Sequence, residues 1–445
     1  MDAALPDVAV ETMDPSDRDA IVLAKLRRQV EYCYRVSAFY RERWDAAGFD
    51  PARLRTLADI RRIPLLRKAD LRAEQAAHPP FGRYLCVARS EVARIHGTSG
   101  TTGRPTAFAI SRADWEGVAG AHARILRAAG IRPGDTVFLG SFFGLYLGGW
   151  GALIGAERLG ATCFPFGAGV PGQTAQAVEW LAEMRPDAFY GTPSYALRVA
   201  EVARESGRDP ADFGIRILFF SGEPGAGIPS TKAQIESAFG GICLDMGSMA
   251  EMTPWMTNAE CAERRGMHLW DDIVYTELLH PETGEPVGPG EVGVPVYTHL
   301  DRDSQPMIRL WSGDLSRFTD DPCPCGRTYR RLPDGLFGRA DDMLVIRGEN
   351  VYPAAIEEAV RAGGCAGEFR VEVVRTGALD ELLVEVEGPA DLEFAVGNEL
   401  KKKLGVRGAV TAVPPGSLPR TEFKSRRITD RRPIAAALVD LQGGG

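Results

Sequence analysis

No run of apolar residues in this chain nears the ~20 that a membrane-spanning helix needs. The most apolar stretches, "LFFSG" and "FFGLYLGGW", are short and broken by glycine. Basic charge is not in excess either: 52 Lys and Arg face 60 Asp and Glu, for a net charge of −8. The densest basic patch, "KSRRITDRR", is interleaved with an acid and apolar residues, so a nucleic-acid partner is not expected. Eight cysteines in 445 residues are too few for a disulfide framework in a chain this long. The start, "MDAALPDVAVETMDPSD", is acidic and lacks the basic and apolar regions of a secretory signal. Together these absences point to a globular protein of the reducing cytoplasm, with neither membrane nor nucleic acid as partner. No internal repeat recurs at a fixed period.

What is present is the balance of a globular protein, 44% hydrophobic and 25% charged, in a chain long enough for two or three domains. Residues 15 to 48 carry Ile21, Leu23, Leu26, Val30, Tyr34 and Phe39 at helical spacing and are expected to form a helix. From residue 135, strand-like runs ("DTVFLGS", "ATCFPFG", "DAFYGTP", "IRILFFSG") alternate with helix-like ones ("GGWGALIGAERLG", "GQTAQAVEWLAEMRP", "SYALRVAEVARESG"). That alternation predicts an α/β layered domain of βαβ units, with strands buried on both faces. After about residue 270 short Val, Tyr and Thr runs punctuated by Gly and Pro predict a β-rich subdomain. From Asp341 a β-α-β-β-α-β-like pattern of about a hundred residues predicts a small α+β domain. The expected division is therefore 1–340 and 341–445.

The most informative stretch is "RIHGTSGTTGRPT", Arg94 to Thr106. From Gly97 to Gly103 it holds only glycines and the hydroxyls of Thr98, Ser99, Thr101 and Thr102, with Gly100 between them and Arg104 following. Glycine lets successive N–H groups turn inward as an anion nest, and hydroxyls and one cation add to it. The chemistry suits a polyphosphate. It is not a Walker A loop, since Thr102 stands where the second glycine would be and Arg104-Pro105 replaces Lys-Ser/Thr. "TAFAIS" after it reads as a strand. Ser111 and Asp114 then have capping-box spacing for the next helix. A flexible Gly/Ser/Thr linker is the competing reading, disfavoured by the ordered flanks.

The loop resembles the phosphate loop of adenylate-forming enzymes, most closely the phenylacetate–CoA ligase family, and the likeness runs from "PLLRKADLR" to "LPRTEFKSRRI". The resemblance implies two steps. A carboxylate, usually of an aryl acid, attacks ATP to give an acyl-adenylate and pyrophosphate. A thiol, typically of CoA, then displaces AMP after the small C-terminal domain has rotated. Relatives are often dimers. A carrier-protein thiol or a nitrogen nucleophile as acceptor, and a non-catalytic nucleotide-binding homologue, are the alternatives.

Carried over residue by residue, the resemblance makes Lys424 the adenylation lysine and Glu251 the carboxylate on the Mg²⁺ side. Asp314 ("WSGDLS") would accept from the ribose hydroxyls, Arg339 would contact ribose or phosphate, and Asp341 would be the hinge. Gly222, Glu223 and Pro224 ("SGEPG") match the adenine-side turn, and Asp245 and Met246 lead into the adenylate motif. Ser141, Tyr146, Gly222 and Pro254 fall where the family lines its acyl pocket. His96 would polarise the carboxylate or bond the backbone. Taken singly, Lys424 reads as a surface lysine, the acids as surface ion pairs and Tyr146 as core. The chain departs from the family at Phe423, where glycine is common. It departs again at Gly247-Ser248-Met249-Ala250-Glu251, where relatives read Tyr-Gly-x-Ser/Thr-Glu.

Four residues point to a metal. "ECAERRGMH" sets Cys261 and His268 seven apart, and "DPCPCGR" sets Cys323 and Cys325 two apart. Three thiolates and an imidazole fill a structural tetrahedral Zn²⁺ site, the alternative being buried free thiols. A subset of phenylacetate–CoA ligase-like proteins resembles this chain here too. Cys33, Cys86, Cys163, Cys243 and Cys365 read as packing residues.

Overall fold

A computed structural model describes residues 9–98, 106–145, 147–168, 170, 172–247, 249–252, 257–340, 342–347, 349–376, 379–420 and 427–432. Two compact units divide the chain, one reaching Asp341 and the other beginning at Asp342.

The larger unit is built on an eight-stranded sheet. Five of its strands are parallel, in the spatial order Thr162–Phe164, Thr136–Leu139, Ala188–Gly191, Ile217–Phe220, Ile242–Gly247. Helices Gly148–Leu159, Thr174–Met184, Pro193–Glu205 and Pro229–Phe239 connect them, as the alternating pattern predicts. Ala188–Gly191 and Ile217–Phe220 are buried along their whole length, the signature of strands covered on both faces. Beyond Ile242–Gly247 the sheet turns antiparallel through Asn258–Glu260, Met267–Leu269 and Arg331–Leu332. A separate three-stranded sheet, Val274–Leu279, Val294–His299 and Leu310–Trp311, forms the β-rich subdomain.

The first parallel connection runs from Thr136–Leu139 outward to Thr162–Phe164. The next return passes to the other side, to Ala188–Gly191. The order therefore reverses between Thr136–Leu139 and Ala188–Gly191, and the crevice at the carboxyl ends of such strands is where open α/β sheets bind ligands. The backbones there approach so closely that a Cβ on Gly191 would lie 2.8 Å from the Gly140 carbonyl oxygen. Only glycine fits.

The expected helix over 15–48 is two helices, Pro15–Val36 and Ala38–Ala46. Ser37 is extended (φ −107°) and its hydroxyl accepts from the Tyr40 N–H, so it ends one helix and caps the next. Helical periodicity alone does not register one capping residue.

The smaller unit holds a four-stranded sheet in the order Gly408–Val413, Leu379–Glu387, Phe369–Thr376, Ile428–Asp430. Helices Pro353–Ala362 and Leu392–Leu404 lie in the same unit, and its core includes Ile356, Val371, Val384, Val396 and Leu400. A hairpin, Leu344–Ile346 with Glu349–Val351, precedes the first helix. The order is thus β-β-α-β-β-α-β-β, two strands more than the sequence pattern suggests.

Candidate active site and metal cluster

The strands that flank the Gly/Ser/Thr loop, Val92–Gly97 and Ala107–Ser111, pair as an antiparallel hairpin. Its neck is closed twice over. Thr98 N–H donates to the Thr106 carbonyl and the Thr98 hydroxyl accepts from the Thr106 N–H, both at 3.1 Å. Gln75 grips Ala107 from outside, donating to its carbonyl at 2.6 Å and accepting from its N–H at 3.0 Å. Helix Arg112–Ala128 follows at once, opened by the expected Ser111–Asp114 capping box. Ser99, Gly100, Thr101, Thr102, Gly103 and Arg104 lie outside the described residues, as do Tyr146, Pro254, Asp341 and Lys424.

His96, the penultimate residue of the first hairpin strand, is 6% exposed and stacks on Trp115, with ring centroids 6.2 Å apart. Its Nδ1 lies 3.2 Å from the Leu145 carbonyl, which can only accept, so Nδ1 carries the proton. Nε2 is then an acceptor, buried and without a hydrogen-bond partner among the described residues. Burial holds the imidazole below its usual pKa, and hence neutral.

Other predicted residues gather at the carboxyl ends of the parallel strands. Ser141, 2% exposed, follows Thr136–Leu139. Gly222, Glu223 and Pro224 follow Ile217–Phe220, where Gly222 (φ +96°) and Gly225 (φ +142°) make the turn. The Glu223 carboxylate accepts from both the N–H and the hydroxyl of Ser194, fastening this turn to the start of helix Pro193–Glu205. Met246 is buried in the last parallel strand, with its neighbour Asp245. Asp245 packs against Gly227 and Gly335, and burial, reinforced by the nearby Glu260, pushes its carboxyl up to about 7. Lys232 and Glu260 form an ion pair at 2.6 Å beside it. Asp245 is thus part of an internal charge cluster.

Glu251 stands in the turn after this strand, 5% exposed, with Lys68 Nζ 3.6 Å from its carboxylate. Asp314 and Arg339 face each other across a two-residue antiparallel ladder, and Arg339 Nη1 donates to Asp314 Oδ1 at 3.1 Å. Sequence reasoning missed Gln75, Lys68 and Trp115. Each acts through a partner distant in sequence, and no spacing rule signals that.

At the antiparallel edge of the large sheet the four metal candidates meet. Cys261, His268, Cys323 and Cys325 each bring one ligand atom within 4.8 Å of all the others. Cys261 Sγ lies 3.8 Å from Cys323 Sγ, and Cys325 Sγ 3.5 Å from His268 Nε2. Tetrahedral Zn–S and Zn–N bonds of ordinary length place such atoms about 3.8 and about 3.5 Å apart. The donor set fits a zinc ion in type and spacing. Trp270 and Tyr329 stand edge-on to the His268 ring. Beside them the buried Glu11 pairs with Arg124 (2.9 Å), Arg127 (3.4 Å) and Arg327 (2.8 Å).

Residues 49–296 match the family described as AMP-binding enzyme, and residues 348–432 match the AMP-binding enzyme C-terminal domain. The phenylacetate-coenzyme A ligase of Thermus thermophilus is 37% identical, over 95% of this chain and 98% of its own length. The Escherichia coli phenylacetate-coenzyme A ligase is 34% identical, over 96% and 98%. The crystal structure of a 2-hydroxyisobutyryl-CoA ligase in its postadenylation state, in complex with R3-HIB-AMP, superposes with a TM-score of 0.91 at 50% identity, covering 98% of this chain and 94% of that one. By these matches the chain belongs to the AMP-binding family of adenylate-forming enzymes, among its phenylacetate–CoA ligase-like members.

Proposed function

We propose that this protein is an ATP-dependent acid–CoA ligase. It condenses a carboxylic acid with ATP to an acyl-adenylate, releasing pyrophosphate, and then transfers the acyl group to the thiol of CoA, releasing AMP. One observation carries the reading. The loop hairpin leads directly into helix Arg112–Ala128, while Ser141, the Gly222–Pro224 turn and the Glu251 turn all follow the carboxyl ends of parallel strands of the sheet that reverses its strand order.

The phosphates of ATP would sit in the Thr98–Arg104 loop. Glu251 would hold Mg²⁺, a hard cation that takes carboxylate oxygen and neutralises phosphate charge. Lys68, with its Nζ 3.6 Å from the Glu251 carboxylate, would help to aim it. Asp314 and Arg339 would receive the ribose, and Lys424 would stabilise the charge that develops as the carboxylate attacks. Asp341 would be the pivot about which the small domain, residues 341–445, moves between the steps.

For the acid, an aryl acid follows from the phenylacetate-coenzyme A ligase relatives. A second reading, a short 2-hydroxy acid, follows from the 50% identity to 2-hydroxyisobutyryl-CoA ligase. The buried acceptor His96 Nε2 favours it, because a substrate hydroxyl would satisfy that atom. Pyrophosphate release should be measured with phenylacetate and with 2-hydroxyisobutyrate, followed by AMP release on adding CoA. The ligase reading fails if neither acid, nor any homologue of either, drives pyrophosphate release. If CoA leaves AMP release unchanged, the acceptor is a carrier-protein thiol or an amine instead. Lys424→Ala should slow the pyrophosphate step by about 10²–10³, the scale of one lost electrostatic stabiliser. It should spare thioester formation from supplied adenylate.

At Cys261, His268, Cys323 and Cys325 we propose one structural Zn²⁺. With four protein ligands it leaves no open position for catalysis, and it ties together strands only two and three residues long.

A further inference from the structure

The segment between strand Val294–His299 and strand Leu310–Trp311, "HLDRDSQPM", carries charged and amide side chains, yet His299, Arg302, Ser304 and Gln305 are at most 1% exposed. Burial of such groups is costly unless each finds partners. Gln305 donates to the Phe81 carbonyl and Gln29 bonds the Arg302 backbone; two further sets of partners bear on the site.

One set is the glutamate turn. Arg302 Nη1 donates to the Glu251 carbonyl at 3.3 Å. His299 Nδ1 accepts from the Met307 N–H at 2.9 Å, so its proton is on Nε2, which donates to the Met252 carbonyl at 3.2 Å. The other set is the second strand of the loop hairpin, three residues beyond Thr106. There the Ala109 carbonyl accepts from Arg302 Nη2 (3.3 Å) and the Ser304 hydroxyl (2.7 Å), and the Ala109 N–H donates to Gln305 Oε1 (2.6 Å). Asp114, the capping residue of the helix after the hairpin, accepts from the N–H groups of Asp303 and Ser304. One planar guanidinium thus joins the backbone beside the loop to the backbone of Glu251.

We propose that His299 and Arg302 are positioning residues for adenylation: they hold the Glu251 turn at a fixed distance from the hairpin strand Ala107–Ser111. This rests on the reading that Glu251 acts on Mg²⁺–ATP. A rigid Arg fork can satisfy two carbonyls in fixed geometry, whereas a lysine ammonium on a flexible stem does not reproduce it. A displacement of about 1 Å in such a frame costs on the order of 10²-fold in rate.

The test uses the full-length protein, with phenylacetate and 2-hydroxyisobutyrate as acids. Arg302→Lys should raise the Mg²⁺–ATP concentration for half-maximal pyrophosphate release about tenfold, and shrink the rise in melting temperature that Mg²⁺–ATP produces. Thioester formation from supplied acyl-adenylate should stay within about twofold. Because a fully buried Arg variant can fail to fold, His299 supplies a second pair. His299→Asn keeps an acceptor near Nδ1 but loses the donor to Met252, and should behave like Arg302→Lys. His299→Gln keeps a donor near Nε2 and should restore the Mg²⁺–ATP response. Equal loss in both half-reactions, following melting temperature across all variants, would show a purely structural role and overturn the proposal. Glu251→Gln separates the two readings. If it weakens the Mg²⁺–ATP response while His299→Asn does not, the positioning proposal alone fails. If Glu251→Gln changes nothing, the role of Glu251 falls and the positioning proposal falls with it.

Discussion

The two halves of the eight-stranded sheet are made rigid in different ways. On the parallel side, strands of three to six residues are joined by helices, and the backbone closes by glycine contact, as at Gly140 and Gly191. On the antiparallel side the last two strands pair only through Arg331–His268 and Leu332–Met267. So short a ladder supplies few backbone hydrogen bonds. Side chains cluster there instead: three cysteines and a histidine, and the Glu11 ion-pair cluster beside them. The parallel side holds the crevice through packing and tight turns, whereas the antiparallel edge gathers ion pairs and the proposed zinc ligands. The two should therefore fail differently.

The largest expected effect is at the edge. Purified protein should contain about one zinc per chain. Cys323→Ser or Cys325→Ser should lower that content roughly tenfold and depress the melting temperature more than any single change on the parallel side. A metal-free preparation of unchanged melting temperature would remove the contrast. Next is Glu11→Ala, which leaves Arg124, Arg127 and Arg327 without their shared, buried carboxylate and should cost about 3–5 kcal/mol in denaturant unfolding. A loss under 1 kcal/mol would show that these arginines find other partners.

On the parallel side, Gly191→Ala puts a methyl 2.8 Å from the Gly140 carbonyl oxygen and 2.9 Å from Phe189 Cε1. The overpacking should cost about 1–3 kcal/mol and, by shifting the strand end, slow adenylation. Unaltered stability and rate would mean that the crevice floor is more yielding than its contacts imply. The smallest effect is one of pH. His122 lies in the seam between helices Arg112–Ala128 and Gly148–Leu159, with no room for a Cβ on Gly151 or Gly155 beside it. Burial lowers its pKa from 6.5 to about 4. The folded imidazole stays neutral while the unfolded chain takes up a proton, so this stability is full above pH 6.5 and lost as pH falls toward 4. At pH 5.5 about 1.4 kcal/mol should be gone. His122→Asn should flatten that part of the curve, and an unchanged slope would assign it to another group.

Much of this organisation was legible in the chain itself. The βαβ alternation, the glycine that ends helix Gly148–Leu159 (φ +84° at Gly160) and the Ser111–Asp114 capping box are local patterns, and each recurs in the structure. Cys261, His268, Cys323 and Cys325 could be proposed as a set because their chemistry is rare, although nothing local showed that they converge. Arg302 could not be found in this way. In "HLDRDSQP" it reads as one more charged residue of a turn, and its value depends on carbonyls 51 and 193 positions away. The second role of Asp114, accepting from Asp303 and Ser304, is hidden for the same reason.

The sequence by itself determined most of the elements, the phosphate-suited loop and the ligand types of the proposed metal cluster. Periodicity, capping and donor chemistry are written within a few residues of each other or in the identity of the side chain. Only the tertiary structure decided which buried polar groups meet. It gave His96 one backbone partner and left its second nitrogen an acceptor, bonded the Asp245 N–H to the Glu260 carboxylate that pairs with Lys232, and set Arg302 between Ala109 and Glu251. A hydrogen bond or ion pair needs both of its partners, and long-range folding alone brings them within reach.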